Sequence, residues 1–151
     1  NTNKKYRLIL IIEMIDFSYQ TNFKLSYEKE IAGWIADTIV REGFEEGDVS
    51  YVFCDDAFLV TINKEFLNHD TFTDIISFDY SHGTQVHGEI YISIERVLDN
   101  AKKYECKFLD ELHRVMIHGI LHYCGYMDKT TDLSAEMRRK EEEALSTRLF
   151  L

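Results

Sequence analysis

The chain contains no proline, only three cysteines, and 17 basic residues against 27 acidic ones. Each shortage narrows what the protein can be. Without proline, an internal repeat or a low-complexity stretch, nothing marks a linker. Residues 1–151 are therefore read as a single domain, with 1–14 as a candidate extension. Cys54, Cys106 and Cys124 form no CxxC pair and leave an odd count. That points to reduced thiols in a cytoplasmic protein, each expected to be buried, and away from a disulfide framework. A net charge of −10 with no dense Lys/Arg run argues against broad, charge-driven nucleic-acid binding. It leaves room for a local cationic cleft, or for a bound metal that brings its own positive charge. Long apolar runs are missing as well. Lys4, Lys5 and Arg7 precede an apolar stretch at 8–12, but Glu13 interrupts it and no small-residue cleavage site follows. The stretch is also too short to cross a bilayer, so no membrane partner is expected.

What is present is 45% hydrophobic residues, enough for a chain of this length to bury a core without disulfides or a structural metal. Any metal is then free to be functional. Residues 8–19 are rich in β-branched and aromatic side chains and predict a strand. From Ser26, the spacing of Ile31, Trp34, Ile35 and Ile39 predicts a helix, which Gly43 can close. Val49, Tyr51 and Phe53 alternate as in a strand. Asp55 or Asp56 can then cap a helix that turns Leu59, Ile62 and Phe66 inward. After a polar turn at 68–70, strands at 73–78 and 88–92 are close enough to pair antiparallel. Ser93 can cap a helix carrying Ile94, Val97, Ala101 and Tyr104. The helix at 108–124 is apolar on most sides, which places it inside the core. A closing helix at 133–149 carries Glu136–Lys140, Arg138–Glu142 and Arg139–Glu143 at four-residue spacing, read as a solvated face. The order β-α-β-α-β-β-α-α-α predicts an α+β fold, a small mixed β-sheet packed with helices.

The chemistry concentrates on the core helix. His118 and His122 are four residues apart, so about 400° of turn and 6 Å of rise put both imidazoles on one side. Gly125 can adopt the left-handed conformation that ends a helix, letting the chain return Asp128 toward the rings. A lone histidine on an apolar helix is ordinarily a hydrogen-bonded core residue. Two histidines and a returning carboxylate make a metal site on the central buried helix, with zinc-type ligands and a fourth position left open. The zinc-peptidase helix motif needs Glu directly after the first histidine, and this chain has Gly119 there. Two histidines and a carboxylate also form the facial triad of iron oxygenases, but nothing else suggests a site for an oxoacid cosubstrate. Glu111 lies on nearly the same helix face, about 10 Å before His118, either lining a cleft or sitting exposed at the helix start. His69, His82, His87 and His113 lack ligand spacing and are read as surface or supporting residues.

His118, Gly119, Leu121, His122, Gly125 and Tyr126, with Asn63, the block Thr73-Asp74-Ile75-Ile76-Ser77-Phe78 and Gly88-Glu89-Ile90, resemble the YbeY-type metal-dependent endoribonucleases, or ribosomal RNA maturation factors. The likeness spans roughly residues 15–147. It implies hydrolysis of RNA phosphodiester bonds, with precursor ribosomal RNA or a ribosomal subunit as partner, and a divalent ion such as Zn2+ held by His118, His122 and Asp128. It also implies that Asp74 and Ser77 line the cleft. Two positions depart from the pattern: Asp128 stands where the family has a third histidine, and Leu67 where it commonly has an arginine that holds RNA phosphate. The rival readings are a ribosome assembly factor that binds without cleaving, and a metal-dependent hydrolase of a small molecule, which would need a closed pocket.

Overall fold

The computed structural model describes residues 14–67 and 72–151. Their order is β1 (Ile15–Tyr19), α1 (Glu28–Arg41), β2 (Glu45–Cys54), α2 (Asp56–Leu67), β3 (Ile75–Asp79), β4 (Gln85–Ser93), α3 (Ile94–Lys103), α4 (Phe108–Tyr123) and α5 (Thr131–Leu145). The first part of the strand expected at 8–19, the turn at 68–70 and His69 lie outside the described residues. The four strands form one mixed sheet in the order β1-β2-β4-β3. The pairs β1–β2 and β2–β4 are parallel, and only β3–β4 is antiparallel, as the short separation of those two strands predicts. This is the α+β architecture read from the sequence.

Alternation along the strands decides which face is covered by what. Val49, Tyr51 and Phe53 of β2 and Ile90 and Ile92 of β4 point to one face. There they meet Ile31, Ile35 and Ile39 of α1 and Leu112, Met116 and Ile120 of α4. The opposite face holds a smaller cluster, Cys54, Leu59 and Ile76, covered by α2. Helix α4 buries residues all around its axis, and even its backbone is engaged from the sheet, where the Tyr51 hydroxyl donates to the Met116 carbonyl at 2.9 Å. Helix α5 lays Met137, Ala144 and Leu145 on the outer side of α4. Among the described residues, no helix is long and apolar enough to cross a membrane.

Local chemistry sets the boundaries. Helix α1 begins at Glu28, later than the expected Ser26, because Tyr27 takes a left-handed conformation with φ 62°. Of the two candidate caps for α2, Asp55 accepts from the Phe58 N–H at 2.8 Å, and Ser93 caps α3 by accepting from Arg96. Several expectations are corrected. Phe66 is exposed on the last turn of α2, where its ring makes an edge contact with Phe78 of β3 at the rim of the cluster. Tyr104 is the residue that ends α3 and is exposed too. Cys54 is buried, Cys124 half-buried and Cys106 exposed. Helix α5 stops at Leu145, and its Lys140 turns from Glu136 to Glu42 at the end of α1 (2.6 Å) and to Glu143.

Candidate metal centre

Helix α4 ends in the manner its sequence predicts. Gly125 has φ 97°, its N–H donates to the His122 carbonyl, and the Tyr126 N–H reaches back to Leu121. The chain therefore reverses directly after the second histidine and carries Asp128 over the face that holds both rings. The Nε2 atoms of His118 and His122 are 2.9 Å apart, and Asp128 Oδ2 is 3.4 Å from each. Among the described residues these three form a group able to hold a metal ion. All three are partly exposed, so the centre opens to solvent on one side.

The opposite ring nitrogens are already engaged. His122 Nδ1 lies 2.9 Å from the Tyr126 carbonyl, which can only accept, so this nitrogen carries the proton. Tyr126 is itself tethered, its hydroxyl donating to Glu42 at 2.7 Å beside Lys140. His118 Nδ1 lies 2.7 Å from Oε2 of Glu141 in α5. With neutral rings, both Nε2 lone pairs and a carboxylate oxygen converge on one point, an arrangement that repels itself unless a cation sits among them. Donors on a tetrahedral ion with bonds of about 2.0–2.2 Å stand about 3.3–3.6 Å apart; Asp128 Oδ2 lies at that spacing from both rings, while the two Nε2 atoms, at 2.9 Å, would have to part by a few tenths of an ångström to admit the ion. The donor set therefore fits a divalent ion. Burial pulls the His118 imidazolium pKa down, but the hydrogen bond to Glu141 and the charges of Glu141, Asp128 and Asp74 outweigh it and leave the pKa raised.

Glu141 lies on the helix whose charged pairs the sequence reading assigns to a solvated face, but it belongs to none of those pairs. It is buried, and its other oxygen accepts from Arg114 Nη1 at 3.2 Å. A signal was available: Met137, Glu141, Ala144 and Leu145 recur at the spacing of one buried helical stripe.

The structure places the other candidates as follows. Asp74 precedes β3, its carboxylate accepting from Asn100 Nδ2 at 3.0 Å. Burial raises its pKa, opposed by the charge of His118, by backbone hydrogen bonds and by Asn100. Ser77 is exposed in mid-strand, directly before Phe78, whose carbonyl accepts from the Tyr123 phenol next to His122. Glu111 is buried rather than exposed at the helix start, 3.8 Å from Arg114 Nε. Burial raises its pKa too; Arg114 opposes this and Asp74 adds to it. His113 is not at the surface: it is buried between Trp34 and Phe150, with Arg148 Nη1 2.7 Å from its Nδ1. His87 accepts from the Asp48 N–H, and His82 bridges to Gln85. Leu67 is exposed at the end of α2. Beside Asp128 runs an open cleft walled by Lys129, Thr130, Thr131, Ser134 and Arg138.

The class defined by this fold and cluster is an α+β protein with a histidine-histidine-carboxylate group on a buried helix. The family model for endoribonuclease YbeY matches residues 14–148, and the chain belongs to that family. It is 52% identical to endoribonuclease YbeY of Flavobacterium psychrophilum over 132 residues, covering 87% of this chain and 94% of the relative. The corresponding protein of Flavobacterium johnsoniae is 53% identical over 134 residues, 88% of this chain and 96% of the relative. A solved solution structure from Thermotoga maritima superposes with a TM-score of 0.60 at 27% identity, covering 88% of this chain and 87% of that one.

Proposed function

We propose that the protein is a metal-dependent endoribonuclease that hydrolyses RNA phosphodiester bonds in ribosomal RNA processing and ribosome maturation. The observation that carries this reading, beside family membership, is the convergence of His118 Nε2, His122 Nε2 and Asp128 Oδ2 on one solvent-facing point. These three residues would hold the ion, and their nitrogen and carboxylate donors suit Zn2+. A divalent ion bound there would supply positive charge for a phosphate oxygen and lower the pKa of a bound water. The chain's own groups do the rest. Lys129 and Arg138 on the open cleft beside Asp128 attract phosphate in a chain that is otherwise strongly acidic, and they supply the cation that Leu67 does not. Asp74, a carboxyl whose charge is felt at His118, is the acid–base candidate of the cleft, with burial raising its pKa against the lowering effect of His118. Ser77 offers an exposed hydroxyl on β3, and Glu111, paired with Arg114 within the core, is the remaining carboxyl candidate on the helix. Three thiols without a disulfide fit a reducing compartment such as the cytoplasm.

Leu67 favours one second reading, an RNA-binding assembly factor that keeps the metal and does not cleave. The test incubates the metal-loaded protein with structured and single-stranded RNA, beside His118→Ala and His122→Ala. Cleavage by the parent and its loss in both variants is the expected result. Unchanged cleavage in both variants overturns the metal-centred reading, and binding without cleavage by any form selects the assembly factor.

A further inference from the structure

Glu141 reaches the histidine pair from a different helix and is held in a way that leaves it one role. Its carboxylate has only acceptors, Oε1 facing Arg114 Nη1 at 3.2 Å and Oε2 facing His118 Nδ1 at 2.7 Å. Arg114 has only donors, and also bonds Glu142. A carboxylate pinned by an arginine cannot donate to His118, so His118 must put its proton on Nδ1. Nε2 then presents a lone pair toward His122 and Asp128. His122 reaches the same tautomer through the Tyr126 carbonyl, a neutral acceptor from its own helix end. For His118 the acceptor is charged and buried, and it comes from α5.

We propose that Glu141 is a positioning residue that fixes the His118 tautomer and so sets the affinity of the centre for its metal, with Arg114 fixing Glu141 in turn. This rests on the reading of His118, His122 and Asp128 as metal ligands. Outer carboxylates on metal-bound histidines raise ligand basicity and are worth about 10–100-fold in metal affinity.

The decisive variant is Glu141→Gln, because Arg114 dictates its orientation. The guanidinium claims the amide oxygen, the amide NH2 group then faces His118 Nδ1, and the imidazole proton is driven to Nε2, where a metal must displace it. Two measurements are made: Zn2+ affinity by competition with a chromogenic chelator, and the His118 tautomer from 15N shifts of the metal-free protein at a pH where the ring is neutral. The expected result is an Nδ1–H tautomer in the parent and an Nε2–H tautomer in Glu141→Gln, with Zn2+ binding weaker by about 10–100-fold. His122 should remain Nδ1–H in both. Arg114→Gln, which keeps the carboxylate, should keep the His118 tautomer and lose less affinity. An Nε2–H tautomer in the parent overturns the proposal without any variant. Equal Zn2+ affinity in parent and Glu141→Gln overturns it as well. A parent that binds no Zn2+ removes the metal-centre reading and this proposal together. A parent that binds Zn2+ but cleaves no RNA removes only the nuclease reading.

Discussion

Gly88 and Tyr123 meet so closely that a Cβ at Gly88 would lie 2.3 Å from the Tyr123 hydroxyl oxygen and 2.5 Å from Cζ. The phenol crosses the strand at this point, within hydrogen-bond reach of the Phe78 carbonyl (2.8 Å) and the Glu89 carbonyl (3.2 Å). Tyr123 directly follows His122, so this contact fastens the histidine-bearing end of α4 to β3 and β4.

Gly88→Ala is therefore expected to destabilise the fold by about 1–3 kcal/mol, the ordinary cost of forcing a methyl group into a packed site. The ring is rigid and hydrogen-bonded, so it cannot slide aside cheaply. Urea denaturation gives the stability change, and Zn2+ affinity should fall with it because His122 shifts with its neighbour. A midpoint equal to the parent's would show that Tyr123 has room to move.

Gly119 makes the contrasting case. A Cβ there would meet Ile90 Cδ1 at 3.0 Å and Ile75 Cδ1 at 3.2 Å, both the far ends of flexible side chains. Alanine gains about 1 kcal/mol of helix propensity over glycine. Gly119→Ala should stay within about 1 kcal/mol of the parent and still bind Zn2+. Gly119→Glu, which restores the zinc-peptidase pattern on paper, would push a carboxylate between two isoleucines and should cost about 3 kcal/mol or more without creating peptidase activity. Thermal unfolding and a peptide-hydrolysis assay check both statements.

These two glycines show how far the sequence could be read. The helical period of 108–124, the pairing of the two histidines and the return at Gly125 are local properties, and each is visible in residue spacing. Strand order is not local: nothing in the spacing of residues places β4 between β2 and β3. Glu141 was obscured for a similar reason. The pairs Glu136–Lys140, Arg138–Glu142 and Arg139–Glu143 form the four-residue ladder expected of a surface helix and mask Glu141, which stands outside it; Lys140 turns to Glu42 and Glu141 to Arg114 and His118, partners 23 or more residues away in the chain. His113 is hidden in the same way by Arg148, 35 residues later.

The cleft beside Asp128 leads to a prediction about salt. Lys129 and Arg138 are the cations on its walls. Among the described residues, the ion pair of Arg138 is an exposed one with Glu142 at 3.9 Å, which competes weakly with phosphate. Each phosphate neutralised on a single strand contributes about 0.7 to the slope of log affinity against log salt. The double variant Lys129→Ala/Arg138→Ala should flatten that slope by up to about 1.4 for single-stranded RNA. Binding titrations at several salt concentrations measure it, and an unchanged slope would place the RNA elsewhere on the surface.

Acid stability depends on a histidine away from the His118–His122 pair. His113 has its pKa lowered from 6.5 to about 4, chiefly by burial and then by the positive charge of Arg148, with Asp110 opposing. Arg148 donates to Nδ1, which requires the neutral ring, and Asp110 anchors the same guanidinium at 3.0 Å. The unfolded chain therefore binds this proton more readily than the folded one. The stabilisation is fully present above pH 6.5 and is lost as pH falls toward about 4. Over that window the group accounts for about 3 kcal/mol. His113→Gln keeps an acceptor for Arg148 and cannot titrate, so its stability should fall less steeply across the same range. Urea midpoints of parent and variant, measured from neutral pH down to about pH 4, should converge as the acid limb is entered. Parallel curves would show that His113 does not set it.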